Sequence, residues 1–157
     1  MSDILLIGSS EPFSGKSALV LGIAKKIISS QKKVRLGKPL ATCIELTNLP
    51  SMAYEGLIDD DMKFISSTLG IEEKNLISSV GLLDNISAEK RIYNKDISPG
   101  RGFEQIKELL NDNFEGLNIL EGAGSLHEGL VYGLSLPQLA KALRSKVVVV
   151  NLSLIHI

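Results

Sequence analysis

Lys16 and Ser17 close the stretch Gly8-Ser9-Ser10-Glu11-Pro12-Phe13-Ser14-Gly15-Lys16-Ser17, and glycine, lysine and a hydroxyl in that order are the parts of a phosphate-cradling loop. In such a loop the backbone N–H groups and the first turn of the next helix point at phosphate oxygens. The lysine adds a mobile positive charge, and the serine hydroxyl can ligate Mg²⁺. One position departs from the usual pattern. The first glycine is expected five residues before the second, where this chain has Ser10, and the nearest glycine is Gly8. Gly-Lys-Ser also occurs by chance in many chains, and a helix merely capped by Ser14 is the competing reading. A second segment, Leu120-Glu121-Gly122-Ala123-Gly124, puts a carboxylate before a turn of small residues. That carboxylate can ligate Mg²⁺ or orient its waters, while the glycines allow close approach to phosphate. The alternative is a tight turn with a solvated glutamate. The chemistry these two segments imply is the binding of a nucleoside triphosphate with its metal ion.

Both segments need a strand to end on. Ile4-Leu5-Leu6-Ile7 reads as a buried strand over 3–8, and the apolar spacing of Ala18 to Ile28 predicts a helix over 16–30. Further strands are expected at 33–37, ending at Lys38-Pro39, at 117–120, and at the valine run 146–151, read as a buried parallel strand. Helices are expected at 60–69, 72–78, 102–113 and 135–144, with a helical piece at 87–94 and mostly loop over 40–58. Strands alternating with helices define an α/β domain with a parallel sheet. Ligands of such sheets sit beyond the carboxyl ends of the strands, which gathers the Gly15-Lys16-Ser17 loop, Lys38 and Glu121 on one edge.

Composition bounds the rest. The chain has 157 residues and a net charge of −1, with both signs interspersed, which gives no electrostatic footprint for nucleic acid or a membrane surface. Apolar runs fall short of the ~20 residues of a membrane span, and no secretion signal opens the chain. The lone cysteine, Cys43, excludes an internal disulfide framework and fits a reducing cytoplasm. The last hexapeptide, Leu152-Ser153-Leu154-Ile155-His156-Ile157, looks like the translation of a transposon-end adapter. Residues 152–157 are therefore read as a non-native tail on a chain truncated at its C-terminus, and His156 is given no role.

The loop ending Gly15-Lys16-Ser17, Lys38-Pro39, the acidic run Asp59-Asp60-Asp61, Glu121-Gly122-Ala123-Gly124 and the segment Leu134 to Ala140 together resemble the dethiobiotin synthetase family of P-loop enzymes. The resemblance extends to the cobyrinic acid amide synthases and to the synthetase-like N-terminal domain of some phosphate acetyltransferases. It covers residues 3–151, about the first two thirds of a family unit, and implies a parallel-sheet P-loop NTPase fold incomplete at the C-terminus. Synthetases of this family carry an acidic residue five positions before the lysine, and Glu11 holds that place. The Pro12-Phe13-Ser14 interior departs from the synthetase pattern and looks closer to the acetyltransferase-associated domain.

By that resemblance, ATP and Mg²⁺ are the cofactors. Glu11, Pro12, Phe13, Ser14, Gly15, Lys16, Ser17 and Ala18 would line the nucleotide, and Lys16 would contact the β- and γ-phosphates. Ser17, Glu121 and Asp61 would surround the metal, although Asp59 and Asp60 are also good N-cap and first-turn residues that need no metal. Lys38 would sit between the donor phosphate and an acceptor carboxylate, neutralising charge that develops there; an exposed strand-end lysine is the alternative. His127 and Arg101 read as solvated loop and helix-start residues. Two functions follow from the resemblance: a nucleotide-binding regulatory domain that answers to a downstream acetyltransferase or regulatory domain, or an ATP-dependent ligase that activates a small carboxylate or carbamate. A small-molecule kinase is weaker, because the middle of the chain is poor in lid arginines. The resemblance is also compatible with a homodimer.

Overall fold

The computed structural model describes residues 3–42, 57–82, 93–95 and 100–152. The core strand β1 (Asp3–Ser9) runs parallel to β6 (Leu117–Glu121) on one side and to β7 (Lys146–Val150) on the other. Strand β2 (Val34–Gly37) pairs with the far side of β6, and β4 (Leu76–Ile77) pairs with β2. The result is a five-stranded all-parallel sheet in the order β4-β2-β6-β1-β7. Two short strands, β3 (Leu40–Ala41) and β5 (Gly81–Leu82), form a separate parallel pair beside it.

Alternation along the strands sorts the core into two layers, because successive strand side chains face opposite ways. Ile7, Val34, Leu36 and Ile119 pack with Val20 and Ala24 of α1 (Lys16–Ser29) and with Met62 and Ile65 of α2 (Asp60–Leu69). Leu6 and Leu120 pack on the other face with Ile106 of α3 (Gly102–Leu109) and with Leu136 and Leu139 of α4 (Leu136–Leu143). The protein is thus an α/β domain with helices on both faces of a parallel sheet, as the alternating elements predicted. Among the described residues no helix is long and apolar enough to cross a membrane.

Helix boundaries follow local chemistry. Asp59 caps α2 by accepting from the Asp61 N–H, and Gly70 closes it in the left-handed region at φ 67°. Ser135 and Gln138 form a capping box at the start of α4.

Three expectations differ from what the chain does. The helix expected over 72–78 is a single 3₁₀ turn, Glu73–Asn75, followed by β4, because Leu76 and Ile77 extend the sheet against Leu36 and Gly37. The helix expected over 102–113 stops at Leu109. Beyond it the Asp112 carboxylate accepts from the Phe114 N–H at 3.2 Å and pairs with Arg35 at 2.5 Å, favouring a turn over another helical turn. The valine strand is parallel but not buried: Val147, Val148 and Val149 are 41, 37 and 50% exposed, since β7 forms the sheet's edge. Most of the helical piece expected over 87–94, the loop residues 43–56 with Cys43, and residues 153–157 with His156 lie outside the described residues.

Candidate functional site

Strand order decides what meets at the carboxyl edge. Because β6 lies between β1 and β2, its last residue, Glu121, stands between the loop that leaves β1 and Lys38, which leaves β2. Glu121 is 2% exposed. Its Oε1 accepts from the Ser17 hydroxyl at 3.2 Å and lies 3.5 Å from Lys38 Nζ. Its Oε2 is buried and has no hydrogen-bond partner among the described residues.

The loop between β1 and α1 is built on backbone geometry. Gly15, immediately before α1, has φ 88°, which a side chain disfavours, and no side chain caps the helix. Ser14 therefore does not cap α1; its hydroxyl is buried without a partner among the described residues. The first N–H groups of a 14-residue helix are left without side-chain acceptors at the loop. Gly8 has a different purpose. A Cβ there would collide with the side chain of Leu136, so this glycine lets α4 close onto β1. Ser10 adopts no positive φ, which removes the need for glycine at the position where the usual pattern has one. Phe13 does adopt one, at φ 56°, and its ring is fully exposed at the loop tip.

Lys16 is buried and folds back over the loop. Its ammonium donates to Ser9 Oγ at 2.8 Å and to the Gly124 carbonyl oxygen at 3.3 Å. The Ser9 hydroxyl in turn donates to the carbonyl oxygen of Glu11 (2.7 Å) or of Gly124 (2.9 Å). Lys16 thereby ties the β1 loop to the glycine turn after β6.

Lys38 is equally buried but differently surrounded. Its ammonium lies 2.6 Å from Thr42 Oγ1, 2.9 Å from Asp61 Oδ2, 3.4 Å from Asp59 and 3.5 Å from Glu121. Asp59 is fully buried and also accepts from the Thr42 N–H at 2.8 Å and the Asp61 N–H at 3.0 Å. The Lys38 carbonyl is held by the Ser79 hydroxyl at 2.6 Å.

The two lysines differ electrostatically. Burial lowers the pKa of Lys16 and the neighbouring charge of Lys38 lowers it further, only partly opposed by Glu121. Burial also opposes the charge on Lys38, but Glu121, Asp59 and Asp61 together outweigh it and hold its pKa above the ordinary lysine value. Burial raises the pKa of Glu121, Lys38 opposes that rise, and Asp61 adds to it. The site thus holds one cation without an ion-pair partner among the described residues and one surrounded by carboxylates.

The structure brings Lys16, Ser17, Lys38, Asp61 and Glu121 to one edge. Lys38 is 3% exposed, not a solvated strand-end residue. Glu11, Pro12, Phe13, Gly15 and Ala18 lie exposed along the loop, with Ser14 and Lys16 buried beneath them. Arg101 is exposed and pairs with Glu104 at 2.6 Å, and His127 is exposed, so neither converges on the site. Sequence reasoning missed Ser9, Thr42 and the ion-pairing side of Asp59. Asp59 was visible as an N-cap, but only the fold shows that its carboxylate also faces Lys38. Among the described residues no group of three His, Cys, Asp or Glu side chains is placed to hold a metal unaided. No protein-family model and no curated protein matches the chain.

Proposed function

We propose that this chain binds a nucleoside triphosphate, ATP by its resemblance to dethiobiotin synthetases, together with Mg²⁺. The observation that carries the reading is the contact of Ser17 Oγ with Glu121 Oε1 at 3.2 Å beside the uncapped helix that Lys16 begins. An anion at that helix end would meet free N–H groups and the positive end of the helix dipole. It would also meet the buried Lys16 ammonium, which has no ion-pair partner among the described residues. The residues present fit a magnesium ion: Glu121 keeps a buried, unpartnered oxygen beside the Ser17 hydroxyl, with Asp61 on the other side of Lys38. Ser17, Glu121 and Asp61 would hold it. When bound, the ion would neutralise phosphate charge, and phosphate oxygens would complete the donors that the protein does not supply.

Within this reading the chain is a nucleotide-binding regulatory domain of the acetyltransferase-associated type, acting in the cytoplasm on a downstream domain. The Pro12-Phe13 loop tip, exposed and strained at Phe13, supports that choice over a synthetase loop. A specific observation favours the second reading, an ATP-dependent ligase acting on a small carboxylate. Lys38 is buried at the same edge, where it could neutralise charge between donor phosphate and acceptor.

The deciding experiment is titration of a fluorescent ATP analogue with Mg²⁺ into wild type and Lys16→Ala, followed by an ATPase assay. Lysine-dependent binding with turnover supports the ligase, and binding without turnover in the presence of candidate carboxylates supports the regulatory domain. No binding by a folded wild type sinks both.

A further inference from the structure

Lys38 Nζ stands among three carboxylates, two from the start of α2 and one from the end of β6: Asp61 at 2.9 Å, Asp59 at 3.4 Å and Glu121 at 3.5 Å. Two of the three, Asp59 and Glu121, are at most 2% exposed. Buried carboxylates crowded together repel unless a cation lies between them. In this arrangement the ammonium is that cation. Glu121 is the shared member, because the oxygen that faces Lys38 also accepts from Ser17. Its other oxygen is buried and unpartnered, so part of its capacity as an acceptor is unused. Thr42 Oγ1, at 2.6 Å, gives the ammonium a further acceptor on the side of β3.

We propose that Lys38 is a built-in stand-in for the divalent cation: in the nucleotide-free protein its ammonium occupies the carboxylate cluster, and the metal that arrives with the nucleotide displaces it. The inference rests on the Mg²⁺-nucleotide reading for the identity of the displacing ion. The physical argument is charge. Lys38, Asp59, Asp61 and Glu121 bring one positive and three negative charges together, with all but Asp61 buried. A divalent ion taking the Glu121 oxygen that also contacts Ser17 would stand against the Lys38 ammonium and be repelled by it, so the two compete for that oxygen. Released from the cluster, Lys38 becomes a free ammonium beside the incoming phosphates. Metal entry and the supply of a positive charge to the phosphates are thereby one event. On this reading the lysine also keeps the metal out until a nucleotide supplies further oxygens.

The test is Mn²⁺ binding without nucleotide, read as loss of the free-ion signal by electron paramagnetic resonance, in wild type, Lys38→Met and Lys38→Arg. Methionine keeps an unbranched apolar stem and removes the charge; arginine keeps the charge. Lys38→Met is expected to bind Mn²⁺ at least tenfold more tightly than wild type, Lys38→Arg to stay within a factor of about two of wild type, and Glu121→Gln added to Lys38→Met to abolish the gain. Equal Mn²⁺ affinity in wild type and Lys38→Met overturns the proposal. If Lys38→Met is unfolded alone, melting in millimolar Mn²⁺ decides: rescue of a cooperative transition supports the stand-in, and no rescue overturns it. Nucleotide is absent throughout, so failure of the ATP reading, seen in the Lys16→Ala titration, leaves this result independent.

Discussion

Replacing Lys16 by methionine should stabilise the nucleotide-free protein and, on the proposed reading, weaken its nucleotide binding. Lys16 is 7% exposed and its ammonium makes two hydrogen bonds, at 2.8 and 3.3 Å, to neutral oxygens. Such bonds contribute about 1.5–3 kcal/mol when one partner is charged. Against them stands the cost of a buried charge, several kcal/mol per ion, here without an ion-pair partner among the described residues and with Lys38 repelling it. Methionine fills a similar volume without the charge. The Ser9 hydroxyl keeps the Glu11 or Gly124 carbonyl as acceptor, so the substitution leaves no orphaned donor. The net expectation is a gain of about 1 kcal/mol at neutral pH, or roughly 2–4 °C in melting temperature for a chain of this size.

The pH dependence fixes the cause of that gain. The folded pKa of Lys16 lies below 10.5, so between those two values the unfolded chain binds more protons, and wild-type stability rises with pH. The advantage of Lys16→Met should therefore shrink as pH climbs through that window toward 10.5. Denaturant unfolding at pH 7 and pH 10, with an ATP-analogue titration in parallel, measures both effects. Nucleotide affinity should fall tenfold to a hundredfold, the equivalent of about 1.4–2.8 kcal/mol. A loss of 2 kcal/mol or more in stability at pH 7 would refute the reasoning. It would mean that the two bonds of Lys16 outweigh its desolvation and that the lysine is a structural clamp.

Two further substitutions separate structure from site. Asp59→Ala removes the α2 N-cap, the acceptor for Thr42 and one neighbour of Lys38 together, and should cost about 3–5 kcal/mol in denaturant unfolding; a loss under 1 kcal/mol would show the cap and ion pair to be dispensable. Glu121→Gln should change stability by less than about 1.5 kcal/mol at pH 7, because amide replaces a carboxylate whose burial already disfavours its charge. Since the folded pKa of Glu121 is raised, its contribution is complete below 4.5 and is lost as pH rises through the folded value. The variant should therefore gain on wild type from pH 4 to pH 7 in thermal melts while losing Mg²⁺-dependent nucleotide binding.

The β1–loop–α1 unit was legible in the sequence because its signals are local: an apolar run, a glycine before lysine and a helical apolar spacing. The same holds for α2, whose cap, first turn and closing Gly70 all lie within twelve residues, Asp59 to Gly70. What escaped depends on distant partners. Leu76 and Ile77 become a strand only because β2 offers an open edge, and no local pattern announces it. Lys38 was placed at this edge by the resemblance, but its burial was not legible locally, because the carboxylates that surround it come from α2 and β6. Gly8 looked like a displaced loop glycine, whereas its reason is the side chain of Leu136, far along the chain. The exposed valines of β7 reverse a reading of local hydrophobicity, because burial is a property of position in the sheet.

The placement of Glu121 explains why this edge can work as a unit. A β1-β2-β6 order would separate the β1–α1 loop from Glu121 by a full strand, and a side chain could not span that gap while also reaching Lys38. With β6 in the middle, one carboxylate contacts Ser17 on one flank and Lys38 on the other, at 3.2 and 3.5 Å through the same oxygen. On the proposed reading, a cation brought to Ser17 would compete with Lys38 for that oxygen. Conversely, any change that pulls Lys38 toward Asp59 and Asp61 frees Glu121 for the loop. The two lysines are thus set up differently: among the described residues Lys16 is held by neutral oxygens and Lys38 is compensated by carboxylates, which on the proposed reading suits the first to an anion and the second to exchange with a cation.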